Sequence, residues 1–480
     1  MIFENLEQLK KGVRAAVKTE GGRVEVADPE KLRGRTIDDL IHTAVFSPDP
    51  AAKDVARWII RRAGAALGIH CSSIQGLYEA MGKEKAGGFT VPAVNLRGLT
   101  YLCAQAVFRT VLKEKIGPVI FEIARSEISY TDQRPAEYGA AVTAAAIKTG
   151  YSGPLFLQGD HFQVSGKKYA GDPEGEVNAV RVLIREAVAA GFFNIDIDSS
   201  TVVDLSKPTL REQQLANSSI AADLTGMIRR IEPAGVRISV GGEIGEVGKK
   251  NSTVEELRAF MEVYQEKLHK EDKGLAGISK ISVQTGTTHG GVPLPDGRIA
   301  DVKLDFQTLE LLSRTARSEF GLAGAVQHGA STLPDEAFDR FPKTGTAEIH
   351  LATGFQNMIY DSSSFPHALR DRIYAHIRSN LADERGPKDT EEQFIYKTRK
   401  KGFGPFKKDF WMLPPECLEG IGAEMEKKFH FLFGRLNVFG TKDVTDRFVK
   451  PVDVASPLPA ALSGKAGQRE DIAEEYGEGE

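Results

Sequence analysis

From about residue 89 the chain alternates between short apolar runs and long segments of helical periodicity. The runs are FTVPAVN at 89–95, GPVIFEI ending at Ile123, GPLFLQ ending at Gln158, GFFNIDID ending at Asp198, RISVGG at 237–242, KISVQTG at 280–286, AGAVQH at 323–328 and AEIHLAT ending at Thr353. Each is rich in Val, Ile or Phe and of strand length. Between them LCAQAVFRTVLKEK, AVRVLIREAVAA, TVEELRAFMEVYQEKLHKE and FQTLELLSRTARSEF repeat apolar residues at three- and four-residue spacing, the mark of amphipathic helices. Strand and helix alternating eight times predict an α/β protein built as a closed parallel (β/α)8 barrel, or TIM barrel. A doubly wound sheet is the alternative. Its dinucleotide-binding form carries a glycine fingerprint after the first strand, and Asn95-Leu96-Arg97-Gly98-Leu99 is not one.

The flanks read differently. Residues 1–85 form an N-terminal helical extension, broken by the turn phrase Ser47-Pro48-Asp49-Pro50, with helices expected over Ala51–Leu67 and Ser72–Met81. It carries no obvious chemistry and is assigned to packing or oligomerisation. The barrel is expected over 86–380, with a closing helix over Arg370–Leu381. Residues 381–450 hold C-terminal helices and the basic, aromatic insert TRKKGFGPFKKDFW at 398–411, read as a lid, an interface or an anionic-substrate loop. The tail, 451–480, turns Gly/Glu-rich and is expected to be flexible.

Bulk composition narrows the function class. The 480 residues are 41% hydrophobic and 27% charged, which suits a folded protein. Sixty-two basic against 66 acidic side chains leave a net charge of −4, so no nucleic-acid partner is expected. Cys71, Cys103 and Cys417 include no CxxC pair and cannot form a disulfide framework. The opening MIFENLEQLKKG lacks the apolar stretch of a signal peptide, and no window approaches a membrane span. A cytoplasmic location with no membrane partner is the expectation.

The chemistry gathers at strand ends. Asp160-His161 follows one buried run, His289 sits in the glycine-rich loop of another, and His328 ends a third. In a barrel all three histidines converge on the C-terminal face. Three imidazoles with an open fourth position make a catalytic site for Zn2+ or another divalent transition metal. Asp160 is a candidate general base or acid. Asp198 and Glu243 are candidates to orient a histidine or hold a second cation. Asp196 reads as strand-end solvation. Glu246 opens a polar loop that could carry a proton to the substrate. Gly290, Gly291, Gly329, Ser331 and Thr353 could cradle a phosphate near the last two strands. His350 lies within the last strand motif and is a candidate to face the pocket.

In these residues the sequence resembles the metal-dependent class II fructose-bisphosphate and tagatose-bisphosphate aldolases, over about residues 85–360. Phe89 to Asn95 is similar to the family's opening strand. The resemblance implies that Asn95 contacts substrate oxygens, that Asp160 transfers a proton, and that His161, His289 and His328 bind zinc. It also implies that Asp198, Glu243 and Glu246 support the metal site or an alternative metal position, and that Gly290, Gly329 and Ser331 bind phosphate. Two departures stand out. The final strand reads His350-Leu351-Ala352-Thr353 in place of an Asn-Val-Asp-Thr-like phrase, and Ala124 replaces a serine. The implied reaction is reversible aldol cleavage of a ketose phosphate such as fructose 1,6-bisphosphate through a metal-stabilised enediolate, in a homo-oligomer. A Schiff-base aldolase is disfavoured, because it needs a lysine at a strand end and Lys280 precedes its strand and points to the wrong face. A non-catalytic sugar-phosphate-binding subunit and a metal-dependent sugar-phosphate epimerase or isomerase are the remaining alternatives.

Overall fold

The computed structural model describes residues 1–245, 250–286, 294 and 304–463. Eight parallel strands close into a barrel: β1 (Val91–Asn95), β2 (Ile120–Ala124), β3 (Gly153–Gln163), β4 (Asn194–Asp198), β5 (Ser239–Glu243), β6 (Lys280–Val283), β7 (Ala325–Gln327) and β8 (Glu348–Leu351). Each pairs with its sequence neighbours, and β8 returns to β1 through Glu348↔Val91 to Leu351↔Val94. The fold is a (β/α)8 TIM barrel with helical extensions. All eight predicted apolar runs contribute a strand, because the face that each strand turns to the surrounding helices must be apolar.

The helices begin where local chemistry satisfies their free N–H groups. Thr253 caps Val254–Glu271, its hydroxyl facing the Glu256 N–H while the Glu256 carboxylate accepts from the Thr253 N–H at 2.8 Å. Asp49 caps Pro50–Ala66 with Pro50 in the first turn, which is why Ser47-Pro48-Asp49-Pro50 marks a helix start. Among the described residues, no helix is long and apolar enough to cross a membrane.

The N-terminal extension differs from the all-helical expectation. Val17–Glu20 and Arg23–Val26 form an antiparallel hairpin turned by Gly21 and Gly22, both at positive φ. The extension also closes the bottom of the barrel. Ile69–Cys71 pairs in parallel with the first residues of β3. Helix Gln75–Gly82 then brings the Tyr78 hydroxyl to the Glu348 carboxylate. The stretch after Pro451, expected to be flexible, is docked as far as Ser463. Arg62 makes a two-pronged pair with Asp453 at 2.7 and 3.0 Å, and Ala460–Ser463 packs on Pro50–Ala66. Residues 464–480 lie outside the described residues.

The barrel interior carries charge. Alternate strand residues point inward, and the Lys280 Nζ donates to Gln158 Oε1 of β3 at 2.9 Å, Asp196 Oδ2 of β4 at 2.9 Å and Glu348 Oε1 of β8 at 2.5 Å. Contrary to expectation, Lys280 neither precedes its strand nor faces away from the interior. It is the first residue of β6 and only 1% exposed. Burial alone would lower its pKa, but Asp196 and Glu348 outweigh that and raise it, so the group is an ammonium with every proton engaged. A nucleophilic amine is not available there. Asp196, expected to be a solvated strand-end carboxylate, is buried as Lys280's partner.

Replacing Lys280 by Met leaves two buried carboxylates without their cation. Lys280→Met is expected to destabilise the protein by about 3–5 kcal/mol, read as a lowered urea midpoint. An unchanged midpoint would show that the carboxylates take up protons at little cost.

Candidate active site

The C-terminal ends of the strands open into a cavity of about 490 Å3. Its floor is shaped by a break in β3. Gln158 and Asp160 point inward in ordinary alternation, so His161 would face outward. Instead the β3–β4 register shifts between Gly159 and Phe162, and His161 takes φ +40°. A bulge of this kind re-aims a side chain at a cost of order 1–3 kcal/mol for a non-glycine residue in the left-handed region. Asp160 and His161, adjacent in sequence, thereby line the same cavity.

Three imidazoles stand in a row across the floor. The ring centroids of His161 and His328 are 4.1 Å apart, and those of His328 and His350 are 4.0 Å apart. Carboxylates surround them. His161 Nδ1 lies 3.1 Å from Asp198 Oδ2 and 3.3 Å from Glu243 Oε2, and its Nε2 lies 3.8 Å from Asp160 Oδ1. His328 Nε2 meets Ser282 Oγ at 3.0 Å, turning its Nδ1 towards Asp160. His350 Nδ1 lies 3.0 Å from Glu122 Oε2 and 3.2 Å from Asp160 Oδ1, and its Nε2 lies 2.7 Å from Glu348 Oε1. His350 thus joins the pocket to the Lys280 cluster below.

The electrostatics follow from burial against charge. Burial pushes the Glu243 carboxyl up to about 7, Asp198 adds to this, and His161 opposes it. Glu122 is likewise pushed up to about 7, by burial and then by Asp160. Burial disfavours the charged form of His161 and of His350, but Asp160 and Glu243 around the first, and Glu122 and Asp160 around the second, raise both well above the usual range. Asp198 is held low despite burial, because His161, Ser200 and Gln163 all hydrogen-bond to it.

This donor set fits a divalent cation. Asp160, His161 and His328 each offer a ligand atom within 4.8 Å of the others, as do His161, Asp198 and Glu243. Mixed imidazole and carboxylate donors suit zinc and its transition-metal neighbours, and a cation there would relieve the crowding of Glu243 against Asp198. A third such group, Glu122, Asp160 and His350, shares Asp160 with the first.

The predicted site residues divide three ways. Asp160, His161 and His328 meet at the floor, Asp198 and Glu243 stand behind His161, and Gly329, Ser331 and Thr353 line the cavity. Asn95 does not line it. That residue is 1% exposed and donates to Glu127 Oε2 at 2.6 Å, so it anchors Glu127 rather than facing substrate oxygens. Glu246, His289 and Gly290 lie outside the described residues. Residues not singled out beforehand complete the cavity, among them Glu122, Arg97 and Lys400. Strand alternation carried a signal for Glu122, at the centre of β2; the signal for Lys400 lay in the insert's basic run. Arg97 donates to Glu127, Thr353 and Gln356 at 2.7, 3.2 and 2.9 Å and holds the β1 and β8 loops together.

Imidazoles and carboxylates gathered at the strand ends of a TIM barrel place the candidate site where this fold carries its chemistry. The family model described as fructose-bisphosphate aldolase class-II matches residues 76–401, more than half of the chain, and the protein belongs to that family. Among curated proteins none matches it. Similar solved structures include the fructuronate-tagaturonate epimerase of Cohnella laeviribosi, 13% identical, with a TM-score of 0.54 over 90% of this chain and 91% of that one. A Sinorhizobium meliloti protein named for tagatose 6 phosphate kinase is 18% identical, with a TM-score of 0.50 over 78% and 96%. The fructose-bisphosphate aldolase of Campylobacter jejuni is 18% identical, with a TM-score of 0.44 over 78% and 96%.

Loss of a group that orients a metal-binding histidine typically weakens metal binding by about 10–100-fold. Asp198→Asn is expected to do so, measured by competition with a chromogenic chelator for Zn2+ or Co2+, and chelation of the wild-type protein is expected to lower its melting temperature. Unchanged metal affinity in Asp198→Asn would remove that carboxylate from the site.

Proposed function

We propose that the protein catalyses reversible aldol cleavage of an anionic ketose, with ketose phosphates of the fructose 1,6-bisphosphate type as first candidates. The observation that carries this reading is Asp160, an acidic group on the cavity floor beside His161, His328 and His350. In aldol cleavage the C4 hydroxyl loses its proton, the C3–C4 bond breaks, and its electrons move towards the C2 carbonyl oxygen. Asp160 takes the hydroxyl proton and returns it in the reverse direction. His350, 3.2 Å from Asp160 Oδ1, orients that carboxylate. His161 and His328 supply imidazole donors, and Asp198 and Glu243 hold His161 in place. A divalent ion bound there supplies Lewis-acid polarisation of the ketone.

A second reading is epimerisation by the same chemistry. Fructuronate and tagaturonate, named for the Cohnella neighbour, differ at C4. Cleavage of C3–C4, rotation of the aldehyde and re-addition to its other face would invert that carbon without net cleavage. The likeness to that epimerase spans 90% of this chain, beyond the family match. His350 and Ala352, where the resembling aldolases carry asparagine and aspartate, support a departure from simple cleavage.

Metal-loaded protein offered ketose phosphates and ketohexuronates, with aldehyde release and stereoisomer formation followed together by NMR, separates the two. Asp160→Asn is expected to lower kcat by about 10²–10⁴-fold with little change in KM. Absence of turnover on the whole panel would reject both readings.

A further inference from the structure

The basic insert uses most of its cations on the protein itself. Arg399 pairs with Asp361 through two bonds of 2.6 and 3.0 Å and also reaches Asn357. Lys401 pairs with Glu384 at 2.6 Å, and Lys407 with Glu137 at 2.8 Å. The backbone is held as firmly. The Tyr360 hydroxyl donates to the Arg399 carbonyl at 2.7 Å, and the Gly404 N–H to the Tyr130 carbonyl at 3.1 Å. A Cβ at Gly404 would stand 2.5 Å from that same carbonyl oxygen, and one at Gly402 2.6 Å from Ile373, so both glycines let the insert dock closely.

Lys400 sits between these anchors and points the other way, into the cavity. Its ammonium lies 5.5 Å from the centre of the Tyr130 ring, and no carboxylate of the described residues is within ion-pair distance. Arg97 stands near it across the cavity wall, but Glu127 already balances that guanidinium at 2.7 Å. Burial first, and Arg97 second, lower the Lys400 pKa. Glu127 and Glu384 offset this only in part, from beyond ion-pair distance, and a partly desolvated cation is costly unless an anion joins it. Thr353 and Ser331, also on the cavity wall, offer hydroxyls to the same guest.

We infer that Lys400, delivered by the C-terminal insert, binds the terminal oxyanion of the ketose substrate and makes the pocket selective for anionic over neutral sugars. The inference rests on the reading of this pocket as one for an anionic ketose. The oxyanion is a carboxylate or a phosphate, and the probes below tell them apart.

The test uses the full chain and three six-carbon probes without a ketone or aldehyde, so that none can be turned over: gluconate, glucitol 6-phosphate and glucitol. A charge-assisted contact is worth about 1.5–3 kcal/mol, or roughly 10–100-fold in affinity. By calorimetry, wild-type protein is expected to bind one of the two anions at least about 10-fold tighter than glucitol, and the preferred anion identifies the terminal group. Lys400→Met is expected to bring that preference to within about two-fold of unity without weakening glucitol, and Lys400→Arg to keep most of it. Lys400→Gln stands in should the Met variant not fold. Absence of anion preference in the wild type, or its persistence in the Met or Gln variant, would overturn the proposal. A protein that shows Lys400-dependent anion binding but turns over no ketose keeps this site and loses the aldol reading instead.

Discussion

The Lys280 ammonium holds together four strands that would otherwise bring carboxylates face to face. It draws Asp196 from β4 and Glu348 from β8 and ties Gln158 of β3 to both. A barrel interior is ordinarily filled by branched apolar side chains. Here polar groups fill it, and each has to find a partner, because an unpaired charge at this depth costs several kcal/mol. Glu348 is the junction. It accepts from Lys280 and Tyr78 below and meets His350 above. Through His350 the network reaches Asp160 and Glu122 at the cavity floor.

Most of the barrel was legible in the sequence because buried parallel strands write themselves as continuous apolar runs, and all eight were visible. What such runs hide is the direction of each side chain. Lys280 stands at the start of its run and reads as flanking, yet the barrel turns it inward. Period-two alternation in Glu348-Ile349-His350-Leu351 would have placed Glu348 and His350 together on the inner face. The break at His161 could not be read this way, since a bulge leaves no mark in the pattern of residue types. Asn95 reads as a substrate contact only by resemblance, and in the fold the nearby Glu127 captures it.

The additions are part of the pocket's construction rather than appendages to it. The basic, aromatic insert at 398–411 reads as a lid, an interface or an anionic-substrate loop. Phe403, Phe410 and Trp411 are buried in the structure, and Gly98, lacking a Cβ, leaves room for the Phe403 ring. Such docking depends on backbone approach at particular glycines, which composition does not reveal. The bottom plug, strand Ile69–Cys71 and Tyr78, is similar in kind: short, weakly patterned, and meaningful only against β3 and β8.

The contact between Tyr78 and Glu348 has a consequence for how the chain is made. The two residues are 270 positions apart, and Lys280 lies between them. As the polypeptide leaves the ribosome, Tyr78, Glu122 and Asp196 emerge long before the ammonium and the strand that complete their cluster. The growing half-barrel must therefore wait with its polar groups hydrated, and closure becomes a late, long-range event of the kind that slows folding. Lys400 and its docking helices emerge later still. A ribosome that stalled between β8 and the insert would leave a closed barrel whose mouth lacked Lys400.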